Sequence, residues 1–182
     1  MAKLIQNTYA EALFEASVEE NSVDAVFDDV SMLKRIFTEN PEYTALFNNP
    51  RLTLEEKQNA AESVLKGKVN DLILGLVSTM LTHDRMHEII KVFESFENKV
   101  YDYKKIGIVS VTSAVPLSEA QKKKIEERLK ATTDFVSFEI TYAVVPEIIG
   151  GLVIRIGDRV VDSSIKTKIE RLSESLKNAS LS

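Results

Sequence analysis

Two histidines one helical turn apart can share a metal ion, and HDRMH places His83 and His87 at that spacing. In the zinc-protease pattern H-E-x-x-H the intervening glutamate reaches a metal-bound water. Here Asp84 takes the glutamate's place and is one methylene shorter. The chain has two histidines and no cysteine, so a carboxylate would have to complete the site. The lack of cysteine also excludes disulfides, thiolate zinc, iron–sulfur ligation and thiol nucleophiles. Asp84 reads as the N-cap of the next helix, which puts a junction between the two histidines. They are expected to be surface histidines at a turn, without a metal.

The second stretch with chemical potential is EIIGGLVIRIGDRVVDSSIKTKIERL, Glu147–Leu172, which holds Gly150, Gly151 and Gly157, half of the six glycines. A phosphate-binding P-loop reads G-x-x-x-x-G-K-[ST]. Here five residues separate Gly151 from Gly157, and Asp158 follows where the lysine belongs. A dinucleotide fingerprint needs its glycines to open a helix, whereas these flank a strand-like LVIRI. The spacing predicts strand, Gly157–Asp158 turn of type II′, and return strand RVVD. Gly150 and Gly151 are expected to permit a bulge or a close backbone approach. KKK at Lys122–Lys124 is interleaved with acids and reads as a solvated helix face. With no histidine in this half to activate a serine, the expectation is no catalytic residue, no cofactor and no metal.

These residues need elements to hold them. In the first hundred residues apolar positions recur at helical spacing: Ile5, Tyr9, Leu13 and Ala16, then Val23, Val26, Val30, Leu33 and Phe37. Asn40–Pro41 signals a helix start, and Pro50 ends that short helix. Thr53 with Glu56 forms a capping box, Gly67 closes the helix, and Asn70 caps one carrying Leu72, Ile73, Leu76, Val77, Met80 and Leu81. A long helix with Met86, Ile89, Phe93, Phe96 and Val100 follows. Six helices joined by short turns predict a bundle over residues 1–105. From Ile106 the period changes. Ile106, Ile108, Val109 and Val111 suit a strand, Ser118 with Gln121 opens a helix, and Val136–Val144 alternates as a second strand. The order β-α-β-β-β-α predicts a small α/β domain with a mixed sheet and two helices over 106–182, and α+β overall.

Hydrophobic residues make up 44% and charged residues 28% of the 182, the composition of a globular protein. The net charge of −5 argues against nucleic-acid binding. The acid is concentrated in residues 1–105, with 12 Lys and Arg against 18 Asp and Glu; the remainder has 11 against 10. No stretch approaches the about 20 apolar residues of a membrane span. The N-terminal residues lack the basic start, apolar run and cleavage site of a signal peptide. The reading is a cytosolic bacterial protein.

YAEALFEAS, the helical first half and IGGLVIRIGDRVVDSSIKTKIERL together resemble the family of bacterial ATP synthase delta subunits, whose mitochondrial counterpart is the oligomycin-sensitivity-conferring protein. The family commonly has an acidic residue before the proline ahead of the double glycine, where this chain has Val145. The resemblance implies a non-catalytic stator subunit, a monomer within a hetero-oligomer, peripheral on the cytoplasmic face of the cell membrane without inserting in it. It implies that N-terminal segments of alpha subunits lie in a groove between the first and fifth helices. Carried onto this sequence, the groove is lined by Tyr9, Leu13 and Ala16 and by Leu76, Val77, Met80 and Leu81. It further implies contact of the second domain with the b subunits of the peripheral stalk, with the Gly157–Asp158 hairpin and the stripe Ile165, Ile169, Leu172 and Leu176 as candidate surfaces. That stripe is nevertheless expected to cover its own sheet, with packing on partner helices as the alternative. A small hydrolase or metalloenzyme using His83 and His87, and a helical adaptor with unrelated partners, are the competing readings.

Overall fold

The computed structural model describes the backbone of residues 2–180 and the side chains of residues 4–175. The fold is α+β, with eight α-helices and a four-stranded mixed sheet among the described residues. The chain divides into two units, Met1–Val100 and Tyr101–Ser182.

In the first unit the helices are α1 (Ala2–Glu19), α2 (Val23–Glu39), α3 (Pro41–Phe47), α4 (Leu54–Leu65), α5 (Asp71–Thr82) and α6 (Ile89–Tyr103), the last running into the second unit. Each buries the stripe that its spacing lays on one face, such as Val26, Val30, Leu33 and Phe37 on α2. The Phe37 ring lies 6.3 Å from Phe47 and 6.4 Å from Phe93, joining α2, α3 and α6. Phe93 and Phe96 are wholly buried, each worth about 1.5–3 kcal/mol of transfer free energy. One polar tie crosses this core. Glu97 of α6 accepts from the Ser31 hydroxyl at 3.0 Å and pairs with Lys34, both on α2. The Thr53–Glu56 capping box is present, and Asn70 Oδ1 accepts from the Leu72 amide at 2.9 Å.

Two local expectations need correction. Asn40 precedes Pro41 as expected, but its side-chain amide donates back to the Ile36 carbonyl and caps nothing ahead of it. Asp84 is not an N-cap either. It has φ +54° and lies just past the end of α5, where the Asp84 and Arg85 amides bond back to the Leu81 and Met80 carbonyls. That is a Schellman closure with aspartate in the left-handed position usually held by glycine. A 3₁₀ turn, Met86–Glu88, then leads into α6.

The second unit runs β1 (Ile106–Ser113), α7 (Glu119–Thr132), β2 (Ser137–Val144), a 3₁₀ turn at Pro146–Ile148, β3 (Leu152–Ile156), β4 (Arg159–Asp162) and α8 (Ile165–Ser180). The sheet order is β2-β1-β3-β4, with β1 parallel to β2 and antiparallel to β3. Alternation puts Val109 and Val111 of β1 on the face that α7 covers with Ile125 and Leu129. The β3–β4 hairpin turns at Gly157–Asp158, with Ile156 paired to Arg159 and φ +53° at Gly157. A positive φ at the first central residue is what a type II′ turn requires.

Gly151 has a different task. Its φ is +80°, and a Cβ added there would lie 2.4 Å from the Ser163 carbonyl oxygen. The chain entering β3 therefore runs directly against the chain leaving β4. Two bonds seal the approach, Ser163 N–H to Leu152 O and Ile165 N–H to Gly150 O, each 2.9 Å.

The expectation that α8 covers its own sheet fails. Ile165, Ile169 and Leu172 are 42%, 53% and 64% exposed; the Leu176 side chain lies outside the described residues. The helix packs on the 146–148 turn, because it is held at its first residues by Gly150 while α7 already occupies the covered face of the sheet.

Two glycine substitutions separate turn strain from steric exclusion. Gly157→Ala meets no atom within 4 Å and should cost about 1 kcal/mol. Gly151→Ala must also displace backbone and should cost about 3 kcal/mol, both read from urea denaturation midpoints.

Candidate functional site

The two histidines do not converge. His83 caps the C-terminus of α5, with Nδ1 2.8 Å from the Thr79 carbonyl oxygen, so that nitrogen donates to its own helix. His87 sits in the 3₁₀ turn with Nε2 3.6 Å from Glu88. The left-handed Asp84 between them breaks the helix that would have aligned them. Among the described residues no cluster of three or more His, Asp and Glu groups could hold a metal ion.

A cleft of about 300 Å³ does lie between α1 and α5. Three faces of α1 explain it. Ala10, Leu13 and Ser17 turn into the core. Gln6, Asn7 and Glu11 form a polar seam with α6 and the turn before it: Gln6 donates to Glu88 at 2.6 Å, Asn7 accepts from Ser95 at 2.9 Å, and Glu11 pairs with Lys99. The remaining face, Tyr9, Ala12 and Ala16, walls the cleft with Leu13 below it. Two alanines where larger side chains would fill the space leave it open.

From α5 the cleft takes Leu72, Leu76 and Thr79, which follow one another at i, i+4 and i+7. Of the expected lining, Tyr9, Leu13, Ala16 and Leu76 are brought together. Val77, Met80 and Leu81 are not; all three are buried in the core. Val77 and Met80 share the adjoining stripe with Ile73, and Leu81 turns towards Gln58 and Ala61 of α4. Thr79 was missed because an apolar screen passes over a threonine, and Leu72, though read as apolar, because the screen gave its face no phase; the helical phase from Leu76 would have found both. A second apolar cleft, about 400 Å³, lies between α2, α3 and α4 and includes Ile36, Tyr43, Leu46, Val64 and Lys68.

In the second unit the junction between β4 and α8 is fixed by a small polar cluster. Asp162 accepts from the Ser164 amide and the Thr167 hydroxyl, each at 2.8 Å, and Ser164 Oγ accepts from the Thr167 amide. These bonds, the Ser164 amide first, hold the Asp162 carboxyl below its ordinary range. The signature glycines thus serve backbone geometry, Gly157 and Asp158 an exposed hairpin tip, and α8 presents an open apolar stripe.

The described residues thus offer apolar clefts and an amphipathic helix face left bare, with His83 tied up in a cap. Comparisons with known proteins identify the family. The model of the ATP synthase delta (OSCP) subunit family matches residues 5–176. The ATP synthase subunit delta of Lachnoclostridium phytofermentans is 44% identical over 176 residues, 97% of each chain. That of Halalkalibacterium halodurans is 36% identical over 172 residues, 94% of each. A chain in the cryo-EM structure of the Toxoplasma gondii mitochondrial ATP synthase hexamer superposes with a TM-score of 0.72 at 20% identity, covering 94% of this chain and 96% of that one, and so shares the fold. The chain belongs to the ATP synthase delta (OSCP) subunit family. Its function is that of a stator component linking the F1 head to the peripheral stalk, and it is not a catalytic subunit. It is part of a membrane-associated complex, and no described helix is long and apolar enough to cross a membrane.

The lowered Asp162 ionisation gives a signed pH dependence. A carboxyl whose folded pKa is depressed adds stability above its ordinary pKa and loses it as pH falls through the folded value. Asp162→Asn should therefore be less stable than the parent at neutral pH. Urea midpoints measured between about pH 5 and pH 2 should show the two converging as the parent's carboxylate is protonated.

Proposed function

We propose that the α1–α5 cleft receives N-terminal helical segments of ATP synthase alpha subunits, and that the second unit meets the b subunits of the stalk. The observation that carries this reading is the cleft itself, an apolar trough walled by Tyr9, Ala12, Ala16, Leu72 and Leu76. An amphipathic helix laid in such a trough anchors through side chains at i, i+3, i+4 and i+7. The acid concentrated in residues 1–105 favours basic partner segments and speeds their approach.

Residues 1–105 would act as a six-helix bundle facing the head, and 106–182 as the domain facing the stalk. The bare stripe Ile165, Ile169 and Leu172, continued by Leu176 in sequence, and the Gly157–Asp158 hairpin are its candidate stalk surfaces. In this role the subunit is a monomer within a hetero-oligomer, peripheral at the cytoplasmic face of a bacterial cell membrane. It binds no nucleic acid and uses no cofactor. A link of this kind resists torque through buried apolar area, so it needs no reacting group.

The test uses a peptide copying the alpha subunit's N-terminus, titrated calorimetrically into the full chain. Ala12 is exposed on the cleft wall, so Ala12→Glu should keep the helical far-UV spectrum and weaken binding by about 100-fold, or roughly 2.7 kcal/mol. Unchanged affinity in that variant would remove the cleft assignment. Met80→Asp should instead unfold the first unit, because Met80 is wholly buried.

A further inference from the structure

The first unit presents an apolar cleft between α1 and α5, and the second presents an uncovered apolar stripe on α8. These are surfaces of one chain, so every copy of the protein carries a groove and a helix face in equal supply.

Their lengths agree. The cleft runs along α1 from Thr8 to Ala16 and along α5 from Leu72 to Thr79, about 10–12 Å at the helical rise of 1.5 Å per residue. The stripe from Ile165 to Leu172 covers about 10 Å by the same rise. Its residues recur at i, i+4 and i+7, the spacing by which an amphipathic helix anchors in an apolar groove. Within its own unit α8 packs on the 146–148 turn, which leaves that stripe bare.

Their charges are opposite. Glu15 and Glu19 follow Thr8 of the cleft wall at i+7 and i+11, which keeps them on its face of α1. Asp71 adjoins Leu72 at the start of α5. All three acids are exposed and form no ion pair among the described residues. On α8 the 3.6-residue period sets Lys166 and Lys168 on the two flanks of the stripe and Glu170 and Glu174 on the opposite face. The helix thus offers apolar residues between lysines, and the cleft offers an apolar floor beside carboxylates. Burial favours the contact and charge speeds the approach.

We infer that in the free subunit α8 of one copy seats in the α1–α5 cleft of a second copy, so that the unassembled protein covers its own apolar surfaces. The contact is head-to-tail, because the two surfaces differ. It rests on the reading of the α1–α5 cleft as a trough for a helix. It also makes α8 and the alpha segments competitors for one site, so that release of the cleft becomes a step of assembly.

The test is complementation between two variants, each altered at an exposed position of one surface. Ala12→Glu blocks the cleft, and Ile169→Glu places a charge in the stripe. Sedimentation equilibrium of the parent chain should show mass rising with concentration between about 1 µM and about 1 mM, the range of weak association. Each variant alone should stay monomeric, its dissociation constant raised by about 100-fold, with the parent's far-UV spectrum. An equimolar mixture of the two should form a dimer and nothing larger, because one intact α8 then meets one intact cleft. A parent chain that stays monomeric at about 1 mM overturns the inference. Association that persists in either variant, or a mixture that stays monomeric, overturns it too. The alpha-peptide titration decides the role in the synthase separately: a peptide that fails to bind removes that reading and leaves the mixed dimer to decide this one.

Discussion

Where backbone meets backbone there is no space for a Cβ, and the second unit is organised around one such place. Gly151 lies against the Ser163 carbonyl, and two things depend on that approach. The start of β3 is set, so the register of the hairpin follows. The chain leaving β4 is turned into α8, whose first amide bonds to Gly150. A side chain at Gly151 would push these apart together, which is why effects on the sheet and the helix should share one origin.

The first unit obtains its open surface by a related device, small side chains at chosen helix positions. α1 uses one face for the core and one for the polar seam with α6 and the turn before it. The face that remains carries Ala12 and Ala16 beside Tyr9. Larger residues there would pack down on Leu72 and Leu76 and close the trough. The core beneath is filled, with Val77, Met80 and Ile89 fully enclosed, so the trough is not a packing defect. It is a surface feature resting on a close-packed floor.

Much of this was legible in the residues. The two capping boxes, the Asn70 cap, the II′ hairpin and the strand alternation each depend on chemistry within a few positions, and local chemistry is what a sequence displays. The misses share a cause in ambiguity. Aspartate serves both as an N-cap and as a left-handed closing residue, so Asp84 could be placed on either side of its junction. On α5 apolar residues run nearly all round the helix, from Leu72 through Leu81, so the pattern could not tell trough from core. The stripe of α8 showed that one face wants cover but not which molecule provides it, because its spacing is the same for a sheet and for a partner helix.

The attachment of α8 has a mechanical consequence. A pull along that helix passes along the chain into β4, and it is shared at Ser163 and Ile165, whose amides bond to Leu152 and Gly150. Force therefore enters β4, the edge strand, and through those bonds also the start of β3, an interior strand with β1 on its other side. β1 is in turn paired along its whole length with β2. A load carried by an edge strand alone could peel bonds one after another, whereas the bonds to Leu152 and Gly150 pass part of it to β3 and so to the ladder with β1. For a part of a machine that must not slip while a rotor turns, the position of those bonds matters as much as their strength.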